Sequence, residues 1–167
     1  MNNMEASERI IDIGIAELKF AESPAILSTR GLGSCLAITL YEPFKKLGCL
    51  AHPMLPSMEN ARIKTNPMRF VDSVISLMMD EFQKRDCLIR NLEAKLFGGA
   101  HMFSSIPVNS VFNIGVRNLE AARKKLKFFG VRIAGEDSGK DYGRTVFFDL
   151  QTGKVRVRTL FFGESEI

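Results

Sequence analysis

Residues 11–52 are written in short apolar runs, each cut by glycine, proline or a charged residue before a helix of useful length could form. Ile11, Ile13 and Ile15 alternate with Asp12, Gly14 and Ala16, the period of a strand with one buried face. Residues 25–29 follow Pro24 as a second short strand, and residues 35–41 form a third. Pro43 closes the third, because proline cannot donate to a ladder and restricts the residue before it. Residues 47–52 make a fourth, stopped by Pro53 and Pro56. The connections are short, so these strands are expected to pair in chain order as an antiparallel meander.

The pattern then changes period. Over 67–85, Val71, Val74, Ile75, Met78 and Phe82 recur at three- and four-residue spacing, the stripe of an amphipathic helix. A second helix is predicted over 117–129, with Leu119, Ala122, Leu126 and Phe129 on one face and Gly130 as its stop. Between and after the helices, residues 92–97, 131–133, 145–148 and 154–160 read as further strands. The last two are joined by the hairpin signal Gln151-Thr152-Gly153. Strands do not alternate strictly with helices, so the class is α+β, with mostly antiparallel strands and two main helices.

At 167 residues the chain fits one domain, 1–167, with about residues 1–9 polar and expected to be flexible. Hydrophobic residues at 46% and charged residues at 25% exclude a largely disordered chain. No apolar run approaches the ~18 residues of a membrane span, and the first ten residues are too polar for a signal peptide. A cytoplasmic protein is expected. Cysteines at 35, 49 and 87 and histidines at 52 and 101 exclude a disulfide framework, a CxxC zinc site and a three-histidine metal site. The net charge of +4 is spread along the chain, and the basic run at 123–127 reads as the wet face of a helix, so nucleic-acid binding has little behind it.

Chemistry concentrates at Thr29-Arg30-Gly31-Leu32-Gly33-Ser34-Cys35. Glycines let a loop turn its N–H groups inward, and such a nest beside a thiol suits an oxyanion. A dinucleotide site is excluded, since Leu36 stands where the third glycine would fall and a strand follows. Taken alone, Cys35 is equally well a buried cysteine opening a strand. His52, ending a strand expected beside that of Cys35, brings an imidazole within plausible reach of the thiol, which would make Cys35 a nucleophile. Thr29 is placed to hold the imidazole's other nitrogen. His101 is the rival base; Cys49 and Cys87 read as packing residues.

These blocks, together with Leu55-Pro56, Lys95-Leu96-Phe97-Gly98-Gly99-Ala100, Asn113-Ile114-Gly115-Val116-Arg117-Asn118, Glu136-Asp137, Gly139 and Tyr142-Gly143-Arg144, resemble the chemoreceptor glutamine deamidases of the CheD family. The resemblance runs from about residue 13 to residue 160. It departs at Lys140, where a second glycine is expected, at His101, where asparagine is common, and at Pro53, where a larger apolar residue is usual.

The resemblance implies a single-domain α/β/β sandwich and a hydrolase without metal or organic cofactor. It would convert glutamines of methyl-accepting chemotaxis receptors to glutamates with release of ammonia, through a cysteine thioester. Cys35 becomes the nucleophile, His52 the base and Thr29 its assistant, with backbone N–H groups of Gly33, Ser34 and Leu36 meeting the oxyanion. A receptor-phosphatase of the CheC type is an implied partner. The alternative from another class is a weakly active regulatory binding partner of that phosphatase, against which the intact Thr29, Cys35 and His52 count.

Overall fold

The computed structural model describes residues 8–167. Its organising strand is β4 (Leu36–Glu42), buried along its whole length because both of its faces are covered. Successive side chains on a strand point to opposite faces. Leu36, Ile38 and Leu40 therefore enter one core, shared with the two long helices, while Ala37 and Tyr41 enter another, shared with a second sheet. Three layers result: helices, sheet, sheet.

The central sheet has the order β2-β5-β4-β6-β7, using β2 (Leu18–Glu22), β5 (Leu47–Ala51), β6 (Glu93–Gly98) and β7 (Arg132–Ser138). The outer sheet has the order β1-β3-β8-β9-β10, using β1 (Arg9–Asp12), β3 (Ala25–Leu32), β8 (Arg144–Asp149), β9 (Val155–Thr159) and β10 (Gly163–Glu166). Among the named strands of the described residues, β1 with β3 and β6 with β7 pair in parallel and the other strand pairings are antiparallel. The α+β sandwich expected from the sequence stands.

Helix α1 (Val71–Lys84) buries Val71, Val74, Ile75, Met78, Met79 and Phe82, the stripe read from its spacing. Helix α2 (Ile114–Phe129) begins three residues earlier than predicted, because the Asn113 side chain accepts from the Val116 N–H and caps it there. Gly130, at φ 74°, ends it as expected. None of the helices among the described residues is long and apolar enough to cross a membrane.

The expected meander is wrong. Of the four strands expected in it, only the last two, β4 and β5, form a hairpin; β3 lies in the other sheet, its two edges taken by β1 and β8. After Leu32 the chain steps between sheets through Gly33, Ser34 and Cys35 instead of turning back beside itself. The first strand ends at Asp12, since the chain turns at Ala16 with φ 59°. Residues 18–22 and 163–166 are strands that the sequence reading left out. Of the segment expected to be flexible, residues 1–7 lie outside the described residues, and Arg9 already pairs with Ala25.

Candidate active site

Strand alternation delivers three side chains to the layer between the sheets. On β3, Leu27 faces that layer, and Thr29, two residues on, does too. On β5, Leu50 faces it, and His52 follows with the same parity. Before β4, Cys35 shares the parity of Ala37 and packs against the same core. Thr29 and His52 are buried, at 1% and 0% exposure, and Cys35 is half-buried with a free thiol. The register of β3 against β8 slips between Thr29 and Leu32, a bulge of the kind found beside functional sites.

One hydrogen-bond chain sets the protonation of the imidazole. Thr29 Oγ1 lies 2.6 Å from the Ile13 carbonyl oxygen and 2.7 Å from His52 Nδ1. A hydroxyl has one proton, and a carbonyl can only accept, so that proton goes to Ile13. The Nδ1 atom must then donate to Oγ1, which leaves Nε2 with a lone pair. Nε2 is buried and has no hydrogen-bond partner among the described residues, so the Cys35 thiol does not bond it in this structure. The His52 main chain is held as well, its N–H on the Glu17 carbonyl and its carbonyl on the Ala16 N–H.

Burial decides the resting charges. It pushes the His52 imidazole down to about 4, so the ring is neutral near pH 7. It also raises the Cys35 thiol above its ordinary value, and the residue's own backbone N–H offsets part of that rise. The resting pair is thus a thiol and a neutral imidazole, not a preformed thiolate and imidazolium.

The glycine loop is pinned from two sides. The Leu36 N–H donates to the Pro53 carbonyl at 3.1 Å, and the Gly33 N–H to the Gly31 carbonyl at 3.1 Å. Gly99 donates to the Cys35 carbonyl and Ala100 to the Gly33 carbonyl, both at 2.9 Å. Of the loop donors named from the sequence, Gly33 and Leu36 are therefore already committed. The Ser34 N–H has no acceptor among the described residues. Pro53 contributes the carbonyl that Leu36 uses.

His101 sits on the loop after Gly98 and Gly99, tied through its backbone N–H to the Lys140 carbonyl at 2.7 Å; Thr29 holds His52 and not this ring. Cys49 and Cys87 are buried packing residues in the core beneath the helices. A groove of about 770 Å³ borders the glycine loop at Gly31 and is walled by Met102, Tyr142, Arg144 and Phe162, but Thr29, Cys35 and His52 do not line it. Arg144 is buried there and bonds Asp137 and the carbonyl of Gly139. The sequence reading missed Ile13 as a hydrogen-bond acceptor, which no side-chain pattern could signal. It also missed Asn118, a buried polar residue on the apolar stripe of α2.

The fold is a two-sheet α+β domain that sets a half-buried thiol, a lone-pair imidazole and a hydroxyl along the layer between its sheets. Residues 54–159 match the family described as CheD chemotactic sensory transduction. A probable chemoreceptor glutamine deamidase CheD 1 of Methanosarcina acetivorans is 41% identical over 97% of this chain and 99% of its own. A probable chemoreceptor glutamine deamidase CheD of Desulforamulus reducens is 44% identical over 90% of both chains. One of Clostridium tetani is 41% identical over 100% of both. The chain belongs to the CheD family.

Proposed function

We propose that this protein is a chemoreceptor glutamine deamidase that hydrolyses selected glutamine side-chain amides to glutamate through a thioester on Cys35. The observation that carries the mechanism is the tautomer of His52: Thr29 and the Ile13 carbonyl leave its Nε2 an unprotonated acceptor in the layer of the thiol. The activity itself is that named for relatives matching nearly the whole chain.

In this reading His52 Nε2 takes the thiol proton as Cys35 Sγ attacks the amide carbon, so the thiolate forms only during attack. The Ser34 and Cys35 N–H groups meet the developing oxyanion. The imidazolium returns its proton to the departing nitrogen, and ammonia leaves. Water then enters, His52 takes a proton from it, and the thioester is cleaved to glutamate and free thiol. Exposed Met102, Phe161 and Phe162 line the groove that reaches Gly31, which suits a protein substrate better than free glutamine. The same reading implies a cytoplasmic protein acting on receptor helices, with a CheC-type phosphatase as a partner that co-purification would test.

The decisive experiment incubates the purified protein with a receptor cytoplasmic fragment and follows ammonia release together with glutamine-to-glutamate conversion by mass spectrometry. Parent activity with none from a folded Cys35→Ala protein is the expected result. Conversion by Cys35→Ala would end the thioester mechanism.

A further inference from the structure

The strands that carry the nucleophile and the base lose their ladder where the site begins. β4 and β5 are paired from Glu42 and Leu47 down to Ile38 and Ala51, and a last bond joins the Leu36 N–H to the Pro53 carbonyl. Beyond it, β5 turns away: the N–H groups of Met54 and Leu55 both donate to the Arg69 carbonyl, and Leu55 bridges Phe70. The chain before β4 turns into the glycine loop. No ladder bond therefore fixes the gap between the main chain at Ser34 and that at Met54, although Cys35 and His52 sit on either side of it.

Asn118 fills this gap from α2. Its Nδ2 donates to the Ser34 carbonyl at 2.9 Å and to the Met54 carbonyl at 3.1 Å. One nitrogen with two hydrogens spans both strands, a geometry that aspartate or leucine of similar size cannot supply. The amide orientation is fixed by the same pair, since a flip would set Oδ1 against two carbonyl oxygens. The residue is fully buried on the stripe it shares with Gly115, Leu119 and Ala122, where an apolar side chain would pack. Its Oδ1 is buried without a partner among the described residues, a cost to the fold that an apolar residue would avoid.

The platform behind Asn118 is firm. A Cβ on Gly115 would lie 2.4 Å from the Ala100 carbonyl oxygen, so α2 lies directly on the segment that bonds the Cys35 and Gly33 carbonyls.

We propose that Asn118 is a positioning residue that sets the distance between Cys35 and His52 by clamping the main chain before one to the main chain after the other. This rests on the reading that Cys35 and His52 carry the reaction. A base displaced by ~1 Å loses on the order of 10²-fold in rate, so loosening the clamp is expected to lower kcat by roughly ten- to a hundred-fold with KM little changed.

The test uses the full chain and two variants, Asn118→Leu and the same-shaped Asn118→Asp, each also combined with His52→Ala. The readouts are kcat and KM on the receptor fragment and the rate of Cys35 alkylation by iodoacetamide, with folding checked by thermal melting. Both variants are expected to alkylate more slowly than the parent, while neither changes alkylation further once His52 is gone. Parent-like kcat, an equal slowing in the His52→Ala background, or failure of both variants to fold would each overturn the proposal. If His52→Ala alone leaves alkylation and turnover at parent levels, the Cys35–His52 reading itself falls and takes the clamp with it.

Discussion

Gly98 and Cys35 meet main chain to main chain: a Cβ on Gly98 would stand 2.3 Å from the Cys35 carbonyl oxygen. Gly98 also holds φ at +94°, where side chains are strained. The neighbour is backbone and cannot swing aside, so any side chain there must displace Cys35.

Gly98→Ala is therefore expected to lose about 1–3 kcal/mol of stability and most of its deamidation. Gly130→Ala is the control, since it shares a positive φ but has nothing within 4 Å. It should lose stability alone. Thermal melts and ammonia release measured side by side check the pair, and equal activity in the two would show that Cys35 tolerates the shift.

Cys35→Ala should abolish conversion in a folded protein. Cys49→Ala, at a site with no exposure, should lose about 1–2 kcal/mol and keep turnover. His52→Ala should lose about 10²–10⁴ in kcat, the usual cost of a missing general base, while His101→Ala stays near the parent. A dead His101→Ala with an active His52→Ala would reverse the assignment of the base.

Thr29 is best probed by shape. Thr29→Val keeps the volume but strands the His52 Nδ1 proton and the Ile13 carbonyl, a loss of about 1–3 kcal/mol in stability. Turnover should fall by more than the two- to twelve-fold or so of one net hydrogen bond, because the tautomer is released as well. Thr29→Ser should recover most of both under single-turnover conditions. Parent-like turnover in Thr29→Val would reduce the site to a cysteine and a histidine.

The depressed His52 value fixes the pH behaviour. The base is competent above about pH 4, so the acid limb of kcat/KM should fall near 4 and not near the ordinary histidine value of 6.5. Stability follows the same group: between 6.5 and about 4 the unfolded chain holds the extra proton. The stabilisation from a neutral buried ring is complete above 6.5 and is lost as pH falls through that window, on the order of 3 kcal/mol in all. Denaturant unfolding at about pH 7 and about pH 5 should show a smaller pH dependence in His52→Gln than in the parent.

The sequence paired Thr29 with His52, and they do meet, but for a partly mistaken reason. It put β3 beside β4 in one sheet, whereas Thr29 reaches His52 across the gap between two sheets. Pairing order is a long-range property that short apolar runs do not encode, but side-chain parity is local, and parity brought the three residues into one layer. Helix α1 was legible because its stripe is uninterrupted. Strand β2 was legible in principle, since Leu18 and Phe20 both face the helix-side core. Strand β10 was not, because Gly163, Glu164, Ser165 and Glu166 are all exposed and carry no buried pattern. The commitment of the Gly33 and Leu36 N–H groups was beyond reach, because it depends on how the backbone lies at Gly31 and Pro53.

The hydroxyl that orients the imidazole hangs from one sheet, and the imidazole and thiol hang from the other. The proposed site thus depends on the two sheets being seated on each other, since the Thr29–His52 bond crosses between them. A molecule whose sandwich had loosened would keep its helices, its hairpin and much of its spectrum, yet its imidazole would be free to swap protons between its nitrogens. On the proposed mechanism, turnover would gauge how tightly the two halves of β structure are closed.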